Sequence, residues 1–164
     1  MKILWFLRAA VCVALVCPAV IRAQAAGESD LMAMDAAVAH YLHASLPATG
    51  VAFEPRVWTP GGWVAARSQT RIAALAAILG ATPAYHDTIF VCGHRPSECT
   101  LRNTNTLLEF SEPNISGTTA IVHLQRRDRT GLQRIPVSRR EIELHLIREG
   151  SAWRVVSSAL LSET

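Results

Sequence analysis

From about Arg102 onward the chain changes to a period of two, and the long runs that follow leave few folds open to it. They cover residues 105–111, 117–127, 139–148 and 152–160, with a shorter β-rich run at 88–92. Alternation is plainest in two of them. Ala120, Val122 and Leu124 fall on one side and Ile121, His123 and Gln125 on the other; Ile142, Leu144 and Leu146 oppose Glu141, Glu143 and His145. Successive side chains of a strand point to opposite faces, so these runs predict an antiparallel sheet with one face packed and the other meeting solvent or a partner. Pro113-Asn114 and Glu149-Gly150 supply turns, and residues 128–136 read as a charged hairpin loop.

Helical spacing dominates the first half. Leu31, Met34, Ala37, Val38 and Leu42 recur at intervals of three and four, with Ser29 or Asp30 placed to cap, so an amphipathic helix is expected to about Ser45, ended by Pro47 and Gly50. A second is expected over residues 67–79, through Ile72, Leu75, Ala76 and Leu79, with Gly80 as its stop and Pro83 beyond. Between them, Phe53, Trp58 and Trp63 stand among Pro55, Pro60, Gly61 and Gly62, which reads as a short irregular element or lid. The expected class is therefore α+β: N-terminal helices packed on a curved antiparallel sheet of four to six strands.

The first 25 residues have a different character. Lys2 and Arg8 bracket a charged segment, residues 9–21 form an apolar stretch too short to span a bilayer, and Ala23-Gln24-Ala25 has the small-x-small form of a cleavage site. This predicts a signal peptide cleaved near Ala25 and a single domain over residues 26–164, in a bacterial periplasm or outside the cell; a retained anchor is the alternative. Cleavage also changes the charge. Of 16 basic and 13 acidic side chains, Lys2, Arg8 and Arg22 leave with the signal, so the mature chain is balanced. That argues against nucleic acid as a partner, since phosphate neutralisation needs a basic surplus.

Cys12 and Cys17 leave with the signal, and Cys92 and Cys99 remain in an oxidising compartment, where a disulfide is the expected outcome. Closing so short a loop stabilises by roughly 2–3 kcal/mol on chain-entropy grounds. The competing reading makes Cys92, Cys99, His94 and His86 a zinc site, but the spacing is not that of a zinc ribbon. The two-residue spacing of a redox-active pair is absent as well. No metal and no cofactor are expected.

Helices followed by a meander of long strands, closing on Ile142-Glu143-Leu144-His145-Leu146-Ile147-Arg148-Glu149-Gly150-Ser151-Ala152-Trp153-Arg154-Val155, resembles the nuclear transport factor 2-like superfamily. Its closing hairpin turns through Gly into a Trp beneath the sheet. The resemblance implies a sheet wrapped around helices as a cone whose open end can hold a small apolar molecule, and dimerisation through the sheet. Its members include isomerases, cyclases, dehydratases and binding modules, so fold alone does not choose an activity.

An enzyme of this shape needs a carboxylate or a His–Asp pair in the cone and a donor for the developing oxyanion. Asp35, His40 and Tyr41 on the first helix, with His43 nearby, and His86-Asp87 before the first strand, are the candidates. Asp35 sits beside the apolar stripe, where an exposed role is expected, and His40 and Tyr41 read as boundary residues. Glu109, His123, Glu143 and His145 are expected together on the solvated sheet face. Arg126, Arg127, Arg129 and Arg134 read as a solvated hairpin with local ion pairs. Trp58 and Trp63 are candidates for capping a pocket or anchoring a partner, against a plain core role. Asn114-Ile115-Ser116 matches a glycosylation sequon, meaningful only in a eukaryotic secretory pathway. The sequence thus favours an exported domain that binds a small apolar ligand or a protein partner, with a cofactor-independent isomerase, cyclase or dehydratase, or an envelope-assembly subunit, as alternatives.

Overall fold

In the computed structural model, which describes residues 27–95, 98–131 and 137–164, helix α1 spans Glu28–His43. The predicted signal segment and Arg134 lie outside the described residues. Glu28 and Asp30 in the first turn and His40 and His43 in the last suit the helix dipole, while Met34, Val38, Ala39 and Leu42 are buried. Gly50 follows with φ 75°, and a Cβ there would meet Asn105 Nδ2 at 2.6 Å, so the chain needs glycine to enter the sheet at this point.

The expected lid is ordered sheet structure. Strand β1 (Val51–Phe53) is followed by a hairpin of β2 (Arg56–Thr59) and β3 (Gly62–Ala66), in which Trp58 stands opposite Trp63. Helix α2 (Gln69–Leu79) starts at Ser68, whose hydroxyl accepts from the Arg71 N–H at 3.3 Å, and ends at Gly80 in the left-handed conformation. Then come β4 (Thr82–Pro83), a single turn α3 (His86–Ile89), β5 (Phe90–Val91), β6 (Thr100–Leu101), β7 (Thr106–Phe110), β8 (Asn114–Ser116) and the long strands β9 (Thr119–Arg129), β10 (Val137–Glu149) and β11 (Ala152–Glu163).

The fold is mixed α and β with a mostly antiparallel sheet, but it departs from expectation in two ways. The main sheet has seven strands rather than four to six, in the order β11-β10-β9-β7-β1-β4 with β8 also beside β9. The helices are interleaved with strands rather than gathered at the N-terminus, because β1 leaves α1 directly and pairs in parallel with both β4 and β7. Strands β1 and β4 are three and two residues long, too short for periodicity to reveal.

One core lies between the helices and the first sheet face. Met34, Val38 and Leu42 of α1 and Leu75 and Leu79 of α2 meet Phe53, Leu108, Phe110, Val122, Leu124, Leu144, Leu146 and Trp153. The alternation read from β9 and β10 is borne out: Ala120, Val122, Leu124, Leu144 and Leu146 are buried. The second face is not uniformly solvated. Leu101, Leu107 and Ala52 form a smaller core there with Ala84, Ile89, Phe90 and Val137 packed on it, so α3 and the β5–β6 hairpin cover one end.

Candidate functional site

The space between the helices and the sheet is filled. Between α1, α2 and the sheet remains a cavity of about 10 Å³, walled by Met34, Val38, Leu75, Phe110 and Val122, with Asp35 and Arg67 on its polar side. That is room for about one water. Asp35, expected to be exposed, is 12% exposed at its side chain and lies between two buried guanidinium groups, Arg71 Nε at 2.7 Å and Arg67 Nε at 3.5 Å. Arg67 Nη1 also donates to the carbonyls of Glu54, Pro55 and Arg56 at 3.2–3.4 Å, and its guanidinium lies over Phe110 at 5.4 Å. Burial lowers the Arg67 pKa, and the Asp35 charge opposes that shift. Asp35 is thus the shared anion that lets two arginines be buried at the α1–α2 junction, a use that leaves its oxygens engaged rather than presented to a substrate.

A denser polar cluster stands on the covered end of the second sheet face. Glu54, just past β1, and Glu109 of β7 are 0% and 1% exposed. Arg56 grips Glu54 with two bonds of 2.8 and 2.9 Å, and the His86 backbone N–H donates to Glu54 Oε2 at 2.5 Å. His86 Nδ1 donates to Glu109 Oε1 at 2.5 Å, and Arg127 Nε donates to Glu109 Oε2 at 2.7 Å. Burial pushes the Glu109 carboxyl up, but the His86 hydrogen bond and the Arg127 charge outweigh it and hold the group below the usual carboxylate range. An ionised carboxylate only accepts, so His86 Nδ1 carries the proton of this hydrogen bond.

Aromatic rings separate these cations. The Arg56 guanidinium lies over Trp63 at 4.9 Å and Tyr85 at 5.1 Å, Arg127 lies over Phe90 at 4.6 Å, and the His86 ring stands 6.0 Å from Trp63 and 5.0 Å from Phe90. Asp87, paired with His86 in the sequence reading, instead faces Arg56 at 3.4 Å and is 69% exposed at its side chain. The acid partner of His86 is Glu109, 23 positions away. Sequence spacing carried no signal for it, because α3 and β7 meet only through the fold.

The expected cluster on the second face is split by this arrangement. His123, Glu143 and His145 do share the face, with Glu143 Oε1 2.7 Å from His145 Nε2 and Oε2 3.7 Å from His123 Nε2, but Glu109 is drawn away to His86. Among the described residues no group of three His, Cys, Asp or Glu side chains is arranged to hold a metal ion. Trp58 approaches His123 at 6.3 Å, and neither Trp58 nor Trp63 lines the cavity between the helices and the sheet. Arg126 pairs with Asp128 at 2.8 Å, Arg129 donates to the Leu101 carbonyl, and Arg127 serves the buried cluster. The expectation of a solvated arginine hairpin therefore fails at Arg127. Cys92 and Cys99 form a disulfide, so their sulfurs are not free to join His94 and His86 around zinc.

An apolar depression lies on the outer side of helix α1. A groove of about 370 Å³ runs between the outer face of α1 and the last strand, lined by Ala37, His40, Tyr41, Trp153, Arg154 and Val155. Ala37, His40 and Tyr41 follow the three- and four-residue spacing of one helix face, and Trp153 to Val155 begin β11. His40 and Tyr41, candidates for the cone, thus point to this outer groove instead. Tyr41 and Ser158 are joined through their hydroxyls at 2.7 Å, which bridges helix to strand. Trp153 is 6% exposed, and its Nε1 proton has no acceptor among the described residues.

The architecture is that of an α+β domain with a mostly antiparallel sheet backed by helices. Comparison with protein-family models, with curated proteins and with solved structures finds no match. Among the described residues no helix is long and apolar enough to cross a membrane.

Proposed function

We propose that this chain is an exported binding domain of the nuclear transport factor 2-like kind, and that it takes a small apolar ligand in the groove between α1 and β11 rather than inside the cone. The groove carries the reading: about 370 Å³ lies within the range of small-molecule pockets, whereas the cone cavity of about 10 Å³ holds a water at most. The order of helix, strand, hairpin, helix and long meander supports the fold assignment, and the Cys92–Cys99 disulfide supports export. Binding is tested with the neutral fluorescent probe N-phenyl-1-naphthylamine. Saturable one-to-one enhancement is expected with the mature protein, and its loss in Ala37→Phe, which fills the groove from the helix side. Equal binding by both proteins overturns the groove as the site.

A second reading rests on His86. Its imidazole is oriented by an ionised carboxylate at 2.5 Å, and Nε2 has no partner among the described residues, the arrangement of a general base. Such a base requires Nε2 to be unprotonated at neutral pH. Nitrogen-15 NMR of the His86 ring decides this, since the Nε2–H tautomer removes the enzyme reading at this position.

A further inference from the structure

We infer that the occupant of the α1–β11 groove is an anionic amphiphile, a medium-chain alkanoate with its chain on the apolar wall and its carboxylate at Arg154. This rests on the groove reading above and adds the chemistry of the head group. The lining divides into two parts. Ala37, Val155 and the indole of Trp153 supply the apolar wall, and the polar side chains are His40, Tyr41 and Arg154, which donate hydrogen bonds or carry positive charge. No carboxylate is among the lining residues. A ligand oxygen therefore meets donors among the lining side chains, and the carboxylate that Arg154 holds, Glu149, stands outside the lining.

One further observation favours a carboxylate. Arg154 Nη2 is held by Glu149 Oε1 at 2.7 Å, but both side chains are 59% exposed. Exposed pairs of this sort contribute little, so a ligand carboxylate can replace Glu149 at small cost while gaining charge-assisted bonds to the guanidinium. Beyond Val155 the Tyr41–Ser158 hydrogen bond joins helix to strand.

The test titrates the full mature protein with decanoate, octanoate and decanol, followed by calorimetry and by tryptophan fluorescence. Decanoate is expected to bind about tenfold more tightly than decanol, the return from a charge-assisted contact. Octanoate is expected to bind roughly tenfold more weakly than decanoate, at up to about fourfold per methylene. Arg154→Gln is exposed and should fold; in it the decanoate-to-decanol ratio falls to about one while decanol binding is kept. Equal affinity for decanoate and decanol in the unaltered protein overturns the anionic head and leaves the groove reading standing. Failure of all three to bind overturns the groove reading itself.

Discussion

Replacing Glu109 by Gln tests whether the buried cluster on the second face holds the domain together. In the folded chain this carboxylate is 1% exposed and accepts from His86 Nδ1 at 2.5 Å and Arg127 Nε at 2.7 Å. Hydrogen bonds to charged groups contribute roughly 1.5–3 kcal/mol each. Gln keeps one carbonyl acceptor as an ordinary bond and turns an amide donor toward the other donor. His86 and Arg127 are 20% and 15% exposed at their side chains, so both can recover some hydration. That keeps the loss at or below the lower end of the about 3–5 kcal/mol seen when a fully buried pair is broken. We expect about 3 kcal/mol, which with a urea slope near 2 kcal/mol/M lowers the unfolding midpoint by about 1.5 M.

The pH dependence gives a second readout of the same substitution. The folded Glu109 pKa is depressed, so its contribution is present above the unfolded carboxylate value and is lost as pH falls through the folded value. The groups around it, His86, Arg127, Glu54, Arg56 and Asp87, are common to both proteins. The gap between unaltered and Glu109→Gln protein, followed by far-UV circular dichroism in urea, should therefore narrow as the solution is acidified. Adding Arg127→Gln closes a double-mutant cycle that isolates the pair. A loss below about 0.5 kcal/mol at neutral pH, the level of an ordinary surface substitution, would refute the reasoning. So would a gap that stays constant in acid.

Asp35→Asn removes the charge between Arg67 and Arg71, and because Arg67 is 2% exposed at its side chain a loss of about 2–4 kcal/mol is expected, read from the same urea transition. An unchanged midpoint would mean that neither arginine depends on that carboxylate. Replacing Cys92 and Cys99 by Ala should cost about 2–3 kcal/mol, and the thermal transition of the variant should be insensitive to reductant while that of the unaltered protein falls to meet it.

What could be seen in the sequence was what repeats along it. The buried faces of α1, α2, β9 and β10 follow from spacing alone, since Met34, Val38, Leu42, Leu75, Leu79, Val122, Leu124, Leu144 and Leu146 recur at the helix or strand period. The short parallel strands β1 and β4 left no such trace, and the aromatic hairpin β2–β3 was hidden by its Pro and Gly residues. Charged residues misled for a different reason. Asp35 and Glu109 read as surface positions, because burial of a charge depends on a partner that pattern does not reveal. Glu54 was not singled out at all, although it is 0% exposed and accepts from both Arg56 and His86. The only local hint was Arg56 two residues on, a spacing too common to signify.

The sheet stops at β11, a strand of 12 residues with no further neighbour among the described strands, and such an open margin invites other chains to add to it. Its pairing with β10 slips twice, once between His145 and Leu146 and once between Glu141 and Ile142. The additional residues at these slips, Val156 and Leu161, are apolar and exposed. Each irregularity bends the strand and breaks the even succession of amide and carbonyl groups that an incoming segment must match. The domain can thus carry exposed apolar side chains at its margin while offering a poor template for fibrous growth, a safeguard that regularising either slip by deletion would remove.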